Sequence, residues 1–355
     1  MEVQELILRN FRNYEEVHIP LTEGVNLIQG ENGAGKTTLL EALYLLSTGR
    51  SFVTSHLTDL IRKGSPHFYV EVRFVRDGVE QQLSIGFDGK NRRIHYNNSH
   101  FSHFSHVLGI LPSVLYSPKD SALITGSPQE RRRFLNIQLA QTDPLYVHHL
   151  MRYHKAMKHR NALLKVKSES AIETWEQMMA ESARYLMTKR KALIEALLPR
   201  LKGHLEALAP DLFDLRYEPS ISLKKMEQIE ALYKKQRPKE LIIGMTLTGP
   251  HRDDLYITYN RQDAKTFASE GQKRTCIAAL KMAEWDELAA QTNAKPLLSI
   301  DDFGVHLDPG RTALLEEKLK DFGQVLLTSP SSSEQATLQI TDGKITSPSQ
   351  RSCSR

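Results

Sequence analysis

Gly30-Glu31-Asn32-Gly33-Ala34-Gly35-Lys36-Thr37 matches the phosphate-cradling pattern G-x-x-x-x-G-K-[ST] at every fixed position. Glycines let backbone N–H groups crowd around phosphate oxygens without a Cβ clash. The lysine of this pattern reaches the β- and γ-phosphates, and the hydroxyl after it binds Mg²⁺. The flanks have the required form. Val25, Leu27 and Ile28 predict a short apolar strand before the loop; Leu39, Leu40, Leu43 and Leu46 predict a helix after it. The N-terminus of that helix would point at the phosphates. The predicted ATP loop is therefore Gly30, Glu31, Asn32, Gly33, Ala34, Gly35, Lys36, Thr37 and Thr38.

A second half of the site is expected far downstream. Pro296-Leu297-Leu298-Ser299-Ile300-Asp301-Asp302 reads as a buried strand ending in two carboxylates. Carboxylates at the C-terminal edge of a strand sit where open α/β sheets bind ligands. Asp301 is expected to hold Mg²⁺ together with Thr37. Asp302, with Lys36, is the catalytic candidate. An ordinary aspartate is a weak proton acceptor at neutral pH, so Asp302 is expected to position water more than to deprotonate it.

A third element is Ala268-Ser269-Glu270-Gly271-Gln272-Lys273-Arg274, followed by Cys276, Leu280 and Ala283 at helical spacing. Ser269 is a good N-cap, and the free N–H groups of a helix start form an anion site. The stretch resembles the S-x-G-Q signature of ABC-type ATPases. In that superfamily the signature of one subunit touches the γ-phosphate on the P-loop of the other. By that resemblance Ser269, Gly271 and Gln272 act in trans.

Composition narrows the class. The 355 residues are 40% hydrophobic and 25% charged, an ordinary globular balance. A formal charge of +5 and a pI near 9.0 permit a nucleic-acid partner without requiring one. No apolar run approaches the roughly 18 residues that span a membrane, and no secretory signal is visible at the N-terminus. Cys276 and Cys353 make no disulfide framework, so a cytoplasmic protein is expected. Of 14 histidines, His148, His149, His154 and His159 fall in a basic helix without Cys or carboxylate neighbours, and solvated or backbone-contacting side chains are expected there rather than metal ligands.

Along the chain, residues 3–11 alternate as a strand, and 68–75, 79–87 and 92–96 form an antiparallel meander through Asp77-Gly78 and Asp88-Gly89 turns. From 112 the character changes. Tyr146, Leu150, Tyr153, Met157 and Leu164, then Ile172, Trp175, Met179, Leu186 and Leu193, predict an antiparallel helical hairpin with a coiled-coil-like seam. An arm of about 23 residues would project about 35 Å, with Pro199 kinking or ending its second helix. Residues 241–260 return to apolar strand character, Gln324–Thr328 is another buried strand, and the tail from about 343 is polar and expected to be disordered. The expected fold is α/β: an ABC-type P-loop ATPase core, with a mixed sheet, flanking helices and an antiparallel β meander. The core is split into 1–111 and 240–342, with the helical arm 112–239 inserted.

Taken together, these residues resemble the RecF family of bacterial recombination and repair ATPases, over nearly the whole chain. The resemblance rests on Leu8-Arg9-Asn10-Phe11-Arg12-Asn13-Tyr14, the loop running into Leu39-Leu40-Glu41-Ala42, and Tyr116-Ser117-Pro118 with Asp120. Gly126-Ser127 through Arg131-Arg132-Arg133-Phe134-Leu135 and Arg160-Asn161 extend it. Thr248-Gly249-Pro250-His251-Arg252-Asp253-Asp254 is its most specific part. Departures stand at Val53, Asn136 and Glu270, where the family carries a basic residue, an acidic residue and Gln or Arg; Thr328 stands where transporter-type relatives carry His. The resemblance implies an ATP- and Mg²⁺-dependent homodimer that grips duplex or gapped DNA. Slow hydrolysis would release it. It also implies work in repair and replication restart with RecR and RecO, helping to load RecA, at the bacterial nucleoid.

Residues 144–167 hold Arg152, Lys155, Lys158, Arg160, Lys165 and Lys167 with no Asp or Glu. With Arg131, Arg132 and Arg133, Arg152, Lys155, Lys158 and Arg160 are the DNA candidates. The alternatives are a transporter's nucleotide-binding subunit and a chromosome scaffold. Tyr116-Ser117-Pro118, where a transporter subunit places Gln, opposes the first; the shortness of the arm opposes the second. A small-molecule kinase would leave the signature helix idle.

Overall fold

The computed structural model of the chain describes residues 1–208, 212–222, 225–303, 309–330, 336–341 and 344–346. Two compact units emerge: Met1–Asp120, His204–Pro210 and Glu270–Arg355 form one, Ser121–Gly203 and Asp211–Ser269 the other. The first begins with β1 (Glu2–Phe11), β2 (Tyr14–Pro20), β3 (Gly24–Gly30), α1 (Lys36–Thr48), β4 (Phe68–Arg76), β5 (Val79–Phe87), β6 (Arg92–Tyr96), β7 (Ser99–Phe101) and β8 (Ser113–Tyr116). The second carries α2 (Ala122–Thr125), α3 (Pro128–Thr142), α4 (Pro144–Lys165), most of α5 (Ile172–Leu208), β9 (Phe213–Glu218), α6 (Met226–Ile243), β10 (Asp254–Tyr259), β11 (Gln262–Asp263) and α7 (Ala264–Phe267). The chain then returns to the first unit through α8 (Glu270–Thr292), β12 (Leu297–Ile300), α9 (Pro309–Leu319), β13 (Gln324–Ser329), β14 (Leu338–Thr341) and β15 (Lys344–Thr346).

The first unit holds two six-stranded sheets. One is the antiparallel meander, in the order β2-β1-β4-β5-β6-β7; the other runs β15-β14-β3-β13-β12-β8 and is parallel except at β15. Helix α1 joins them. Its Leu39, Leu40, Leu43 and Leu46 share one core with Leu6, Leu8, Val70 and Val72 of the meander and Ile28, Leu297 and Leu326 of the parallel sheet. Burial of this kind contributes about 1.5–3 kcal/mol per large apolar side chain. Buried Gln324 staples the sheets: its amide accepts from Val3 N–H (2.7 Å) and donates to the carbonyls of Val3 (2.7 Å) and Thr22 (2.9 Å).

In the second unit α4 and α5 run antiparallel, as Arg152–Glu181 (2.6 Å) and Arg160–Glu176 (2.9 Å) fix their register. A third helix, α6, packs on α4, and a three-stranded sheet ordered β11-β10-β9 completes the unit.

Several expectations are corrected. A boundary at 112 assigns β8 to the inserted part; instead β8 pairs in parallel with β12 and belongs to the ATPase sheet. A boundary at 240 is too early as well, because β10 pairs with β9 inside the second unit. Residues 241–253 are not strand. Helix α6 runs to Ile243 and stops at Gly244, whose left-handed φ of 79° lets its N–H reach the Glu240 carbonyl at 2.7 Å. A short apolar run does not separate helix from strand by periodicity alone. Pro199 does not end α5, which continues to Leu208; Leu197 and Leu201 are buried on either side of it. Packing outweighs the missing hydrogen bond there. Residues 344–346 pair with β14 as a strand, and the rest of the expected tail lies outside the described residues.

Candidate nucleotide site

The loop 30–35 leaves β3 and enters α1 at Lys36. Two glycines there are dictated by space and conformation. A Cβ on Gly30 would lie 2.4 Å from the Ile340 carbonyl oxygen of neighbouring β14. Gly35 has φ of 116°, and a Cβ on it would lie 2.6 Å from the Tyr14 hydroxyl and 2.7 Å from Asn13 Nδ2. Asn13 of the β1–β2 turn and Tyr14, the first residue of β2, brace the loop: Asn13 Nδ2 donates to Ala34 O (3.1 Å) and Tyr14 OH to Gly35 O (3.2 Å). Burial pushes the Tyr14 phenol upward, so it stays a neutral donor at any ordinary pH. Lys36 Nζ donates to the carbonyls of Gly30 (2.7 Å) and Glu31 (2.9 Å), and the loop curls around its own cation. Glu31, Asn32 and Gly33 face solvent, and α1 carries no acidic residue in its first turn. Its positive end therefore stays open to an anion.

The acidic strand arrives where the sequence places it. Asp301 follows β12, and its N–H donates to the Tyr116 carbonyl of β8 at 2.8 Å. Thr37 Oγ1 donates to Asp301 Oδ1 at 2.9 Å, joining residues 264 positions apart. Thr328, at the end of β13, also donates to Asp301 Oδ1 at 2.9 Å, while accepting the Asp302 N–H at 2.9 Å. Phe303 N–H closes the turn on the Thr328 carbonyl at 2.9 Å. Asp302 itself adopts a left-handed φ of 55°, a costly conformation for a residue with a Cβ. Burial pushes the Asp301 carboxyl above its ordinary range, against the two threonine hydroxyls. Neutralising charge beside it would reverse that push.

Thr37 Oγ1 and Asp301 Oδ1 are hard oxygen donors side by side. Mg²⁺ takes few protein ligands and completes its octahedron with water and phosphate oxygens, so the pair fits that ion. Beyond Thr37 and Asp301, Lys36 and the N–H groups of Gly33, Gly35, Lys36 and Thr37 would be the groups to hold a triphosphate, since the Ala34 and Thr38 N–H groups donate to the Glu31 (3.2 Å) and Gly35 (3.1 Å) carbonyls. Thr328, Asn13 and Tyr14 complete the surroundings. The sequence marks Thr328 only as standing where transporter-type relatives carry His, at the end of the buried run Val325–Leu327; it gives no sign of the bond to Asp301.

Behind the helix, buried Glu41 accepts both Arg12 Nε (2.9 Å) and Nη2 (2.8 Å), together with the Ser51 hydroxyl. The signature residues lie at the head of the long helix: Ser269 immediately precedes α8, with Gly271 and Gln272 in its first turn. Lys273 Nζ pairs with Glu270 at 3.0 Å, and Thr275 Oγ1 donates to the Gly271 carbonyl at 3.0 Å.

The arm residues proposed for DNA separate into two groups. Arg160 is wholly buried, donating to Glu176 (2.9 Å), Glu240 (2.6 Å) and Thr246 (2.9 Å), and is withdrawn from the DNA candidates. Arg131 forks onto Asp254 at 2.7 and 2.9 Å, Arg132 donates to the Asp253 carbonyl at 2.8 Å, and half-buried Arg133 carries further contacts. Arg152 pairs with Glu181 at 2.6 Å. Only Lys155 and Lys158 among these seven are exposed with no carboxylate partner among the described residues. The acid-free sequence of α4 hides the acids that α5 supplies against it. His149 stacks on Tyr185 (4.4 Å) and His159 on Trp175 (4.4 Å), ring contacts that the sequence did not foretell.

The second unit also absorbs Thr248–Asp254. Asp253 is wholly buried, accepting Arg190 Nη1 and Ser220 N–H (both 2.8 Å) and the Tyr217 hydroxyl. His251 Nδ1 lies 2.7 Å from the Tyr153 hydroxyl.

Fold and site define an ABC-type ATPase head of the RecF and SMC kind. The sequence profile of the RecF/RecN/SMC N terminal domain matches residues 2–343. The DNA replication and repair protein RecF of Protochlamydia amoebophila (strain UWE25) is 45% identical over 336 residues, 92% of this chain and 94% of that protein. Its counterpart in Chlamydia caviae is 38% identical, covering 93% and 92%. A solved structure of the recombination mediator protein RecF with ATP, of the RecFOR pathway, superposes with a TM-score of 0.91 at 30% identity, covering 98% and 97%. The head domain of Smc from Pyrococcus furiosus shares the fold, with a TM-score of 0.56 at 18% identity. The chain belongs to the RecF family.

Proposed function

We propose that this chain is an ATP-dependent DNA-binding protein of replication and recombinational repair, and that ATP acts as the glue of a homodimer. One observation carries the reading: Thr37 of the glycine loop meets Asp301 of the acidic strand at 2.9 Å, which assembles the phosphate cradle and the metal ligands in one place. The relatives, named for DNA replication and repair, and the ATP-bound RecF structure support it. Mg²⁺, when bound, would neutralise phosphate charge. Lys36 would then hold the outer phosphates, Asp302 would orient water, and Ser269, Gly271 and Gln272 of a second copy would close on the γ-phosphate. Catalysis of this kind is positioning and charge stabilisation, with little covalent work for side chains. Hydrolysis is slow and DNA-stimulated in this reading, and it releases DNA. Duplex and single-strand/duplex junctions are the substrates, mediators of the RecR and RecO type are the partners, and RecA is served indirectly. The place of action is the bacterial cytoplasm at the nucleoid; no described helix is long and apolar enough to cross a membrane.

Sedimentation with and without ATP tests the shared site. The unsubstituted chain is expected to dimerise with ATP, whereas Lys36→Ala and Ser269→Arg stay monomeric. Normal ATP-driven dimerisation of either variant would falsify the composite site.

A further inference from the structure

Lys36 and Lys281 are the buried lysines among the described residues. The first belongs to the phosphate cradle; the second stands on α8, the helix headed by the signature residues. Lys281 Nζ meets Asp120 Oδ1 at 3.2 Å and Glu284 Oε2 at 3.1 Å. Burial disfavours the charged ammonium, but Asp120 and Glu284 outweigh burial and hold Lys281 above its ordinary value.

Glu284 shares the helix with Lys281 and moves with it. Asp120 does not, because it follows the end of β8 by four residues. Its other oxygen, Oδ2, accepts the Ser117 N–H at 2.6 Å and the Ser117 hydroxyl at 3.1 Å. Its own N–H returns to the Ser117 carbonyl at 3.0 Å. Ser117 is buried directly after Tyr116, whose carbonyl takes the Asp301 N–H at 2.8 Å. Asp301 in turn meets Thr37 at 2.9 Å. Each link from the signature helix to the Thr37–Asp301 pair is an ion pair, a hydrogen bond or one covalent step along the chain.

A buried ion pair adds little net stability, since desolvation offsets most of the attraction; what it can supply is register. Helix α8 needs such a fix. The buried neighbours of Lys281 include Ala278, Ala279, Met282 and Ala283, small or pliable side chains that would pack as well after a short slide. An ammonium held by Asp120 has one position. Gly271 stands ten residues ahead of Lys281, about 15 Å along a stiff helix, so fixing Lys281 fixes where the signature is presented.

We propose that Lys281 is a positioning residue of the shared nucleotide site: through Asp120 it holds the signature helix in register with the strand end that carries Asp301. This deepens, and rests on, the reading of the chain as an ATP-glued dimer. In that dimer Asp301 serves the subunit's own nucleotide and the signature serves its partner's, so the Lys281–Asp120 pair links the two sites.

The test compares Asp120→Asn with the double variant D120N/K281M, full chain with ATP and Mg²⁺. An amide has one oxygen and cannot accept from Ser117 and Lys281 together, so Asp120→Asn breaks the link. Asp120 is partly exposed, and its amide variant reads the link in a folded chain whatever the fate of Lys281. The double variant also removes the stranded ammonium and should melt within about 4 °C of the unsubstituted chain. Labelled-ATP binding by the dilute monomer should change about threefold or less in both. The concentration for half-dimerisation with ATP should rise, and ATP turnover should fall, about tenfold or more in both. Recovery of dimerisation and turnover together with the melting temperature in the double variant would mark a merely structural pair and overturn the proposal. Unchanged dimerisation and turnover in Asp120→Asn would also overturn it, as would a loss of ATP binding in step with turnover, which would place the effect in the cradle. No ATP-driven dimerisation by the unsubstituted chain would overturn the reading beneath the proposal, and the proposal with it.

Discussion

At the scale of single residues, two hydroxyls tie the site together, one from the glycine-loop motif and one from outside every motif. Thr37 and Thr328 converge on one Asp301 oxygen, and Thr328 also holds the Asp302 N–H. Replacing Thr328 with Val keeps the shape but removes one donor to a buried carboxylate and leaves an N–H without its acceptor. Each loss is worth about 1–3 kcal/mol. Thr328→Val is therefore expected to lower ATP turnover at least about tenfold, with nucleotide affinity changed about threefold or less. Phosphate release and labelled-ATP titration separate the two; equal losses in both would mean that Thr328 shapes the pocket rather than the catalytic turn. Lys36, Thr37 and Asp301 are legible in the sequence because a phosphate cradle demands particular residue types at fixed spacing. Thr328 is legible as a position but not in its role, since that role comes from parallel pairing of β13 with β12.

At the scale of elements, Thr248–Asp254 shows how a recognisable motif becomes structure. Its seven residues end in a single turn, Pro250–Arg252, and in Asp253, which is held by Arg190, Tyr217 and Ser220. His251 lies inside this arrangement, and burial drops it from 6.5 to about 4. The folded state therefore binds this proton less readily than the unfolded chain. Stability from His251 is full above about pH 6.5 and is lost as pH falls toward about 4. By pH 5 the loss should reach about 2 kcal/mol. Urea unfolding followed by far-ultraviolet circular dichroism at pH 7.5 and 5.0 measures it, with His251→Gln expected to show a smaller difference between the two. Equal acid sensitivity in both proteins would remove His251 from the account. Helix pairs are another matter of elements: the acid-free run on α4 invites a reading as a bare basic face, yet Glu176 and Glu181 of α5 neutralise part of it. Periodicity along one helix does not report which charges its neighbour brings.

At the scale of the whole molecule, the net charge of +5 is modest, and its arrangement decides what it does. Once the ion pairs among the described residues are removed, Lys155, Lys158 and Lys165 remain as exposed lysines of α4 with no carboxylate partner, and the first two are the DNA candidates. The double variant K155Q/K158Q is expected to weaken ATP-dependent duplex binding and to flatten its salt slope by about 1.8. Fluorescence anisotropy with a labelled duplex across a salt series reads this, and an unaltered slope would take α4 out of the DNA surface. Sequence alone determined the loop, the acidic strand, the signature helix and the meander, because each is a local pattern imposed by phosphate geometry or by side-chain periodicity. The split of the ATPase unit around an insertion was also legible from the order of those patterns. Only the tertiary structure decided where the units divide, which arginines are internal, and which threonine holds the acidic turn. Those outcomes depend on strand pairing and on charges meeting across elements far apart in the chain, and nothing in a linear pattern encodes such encounters one residue at a time.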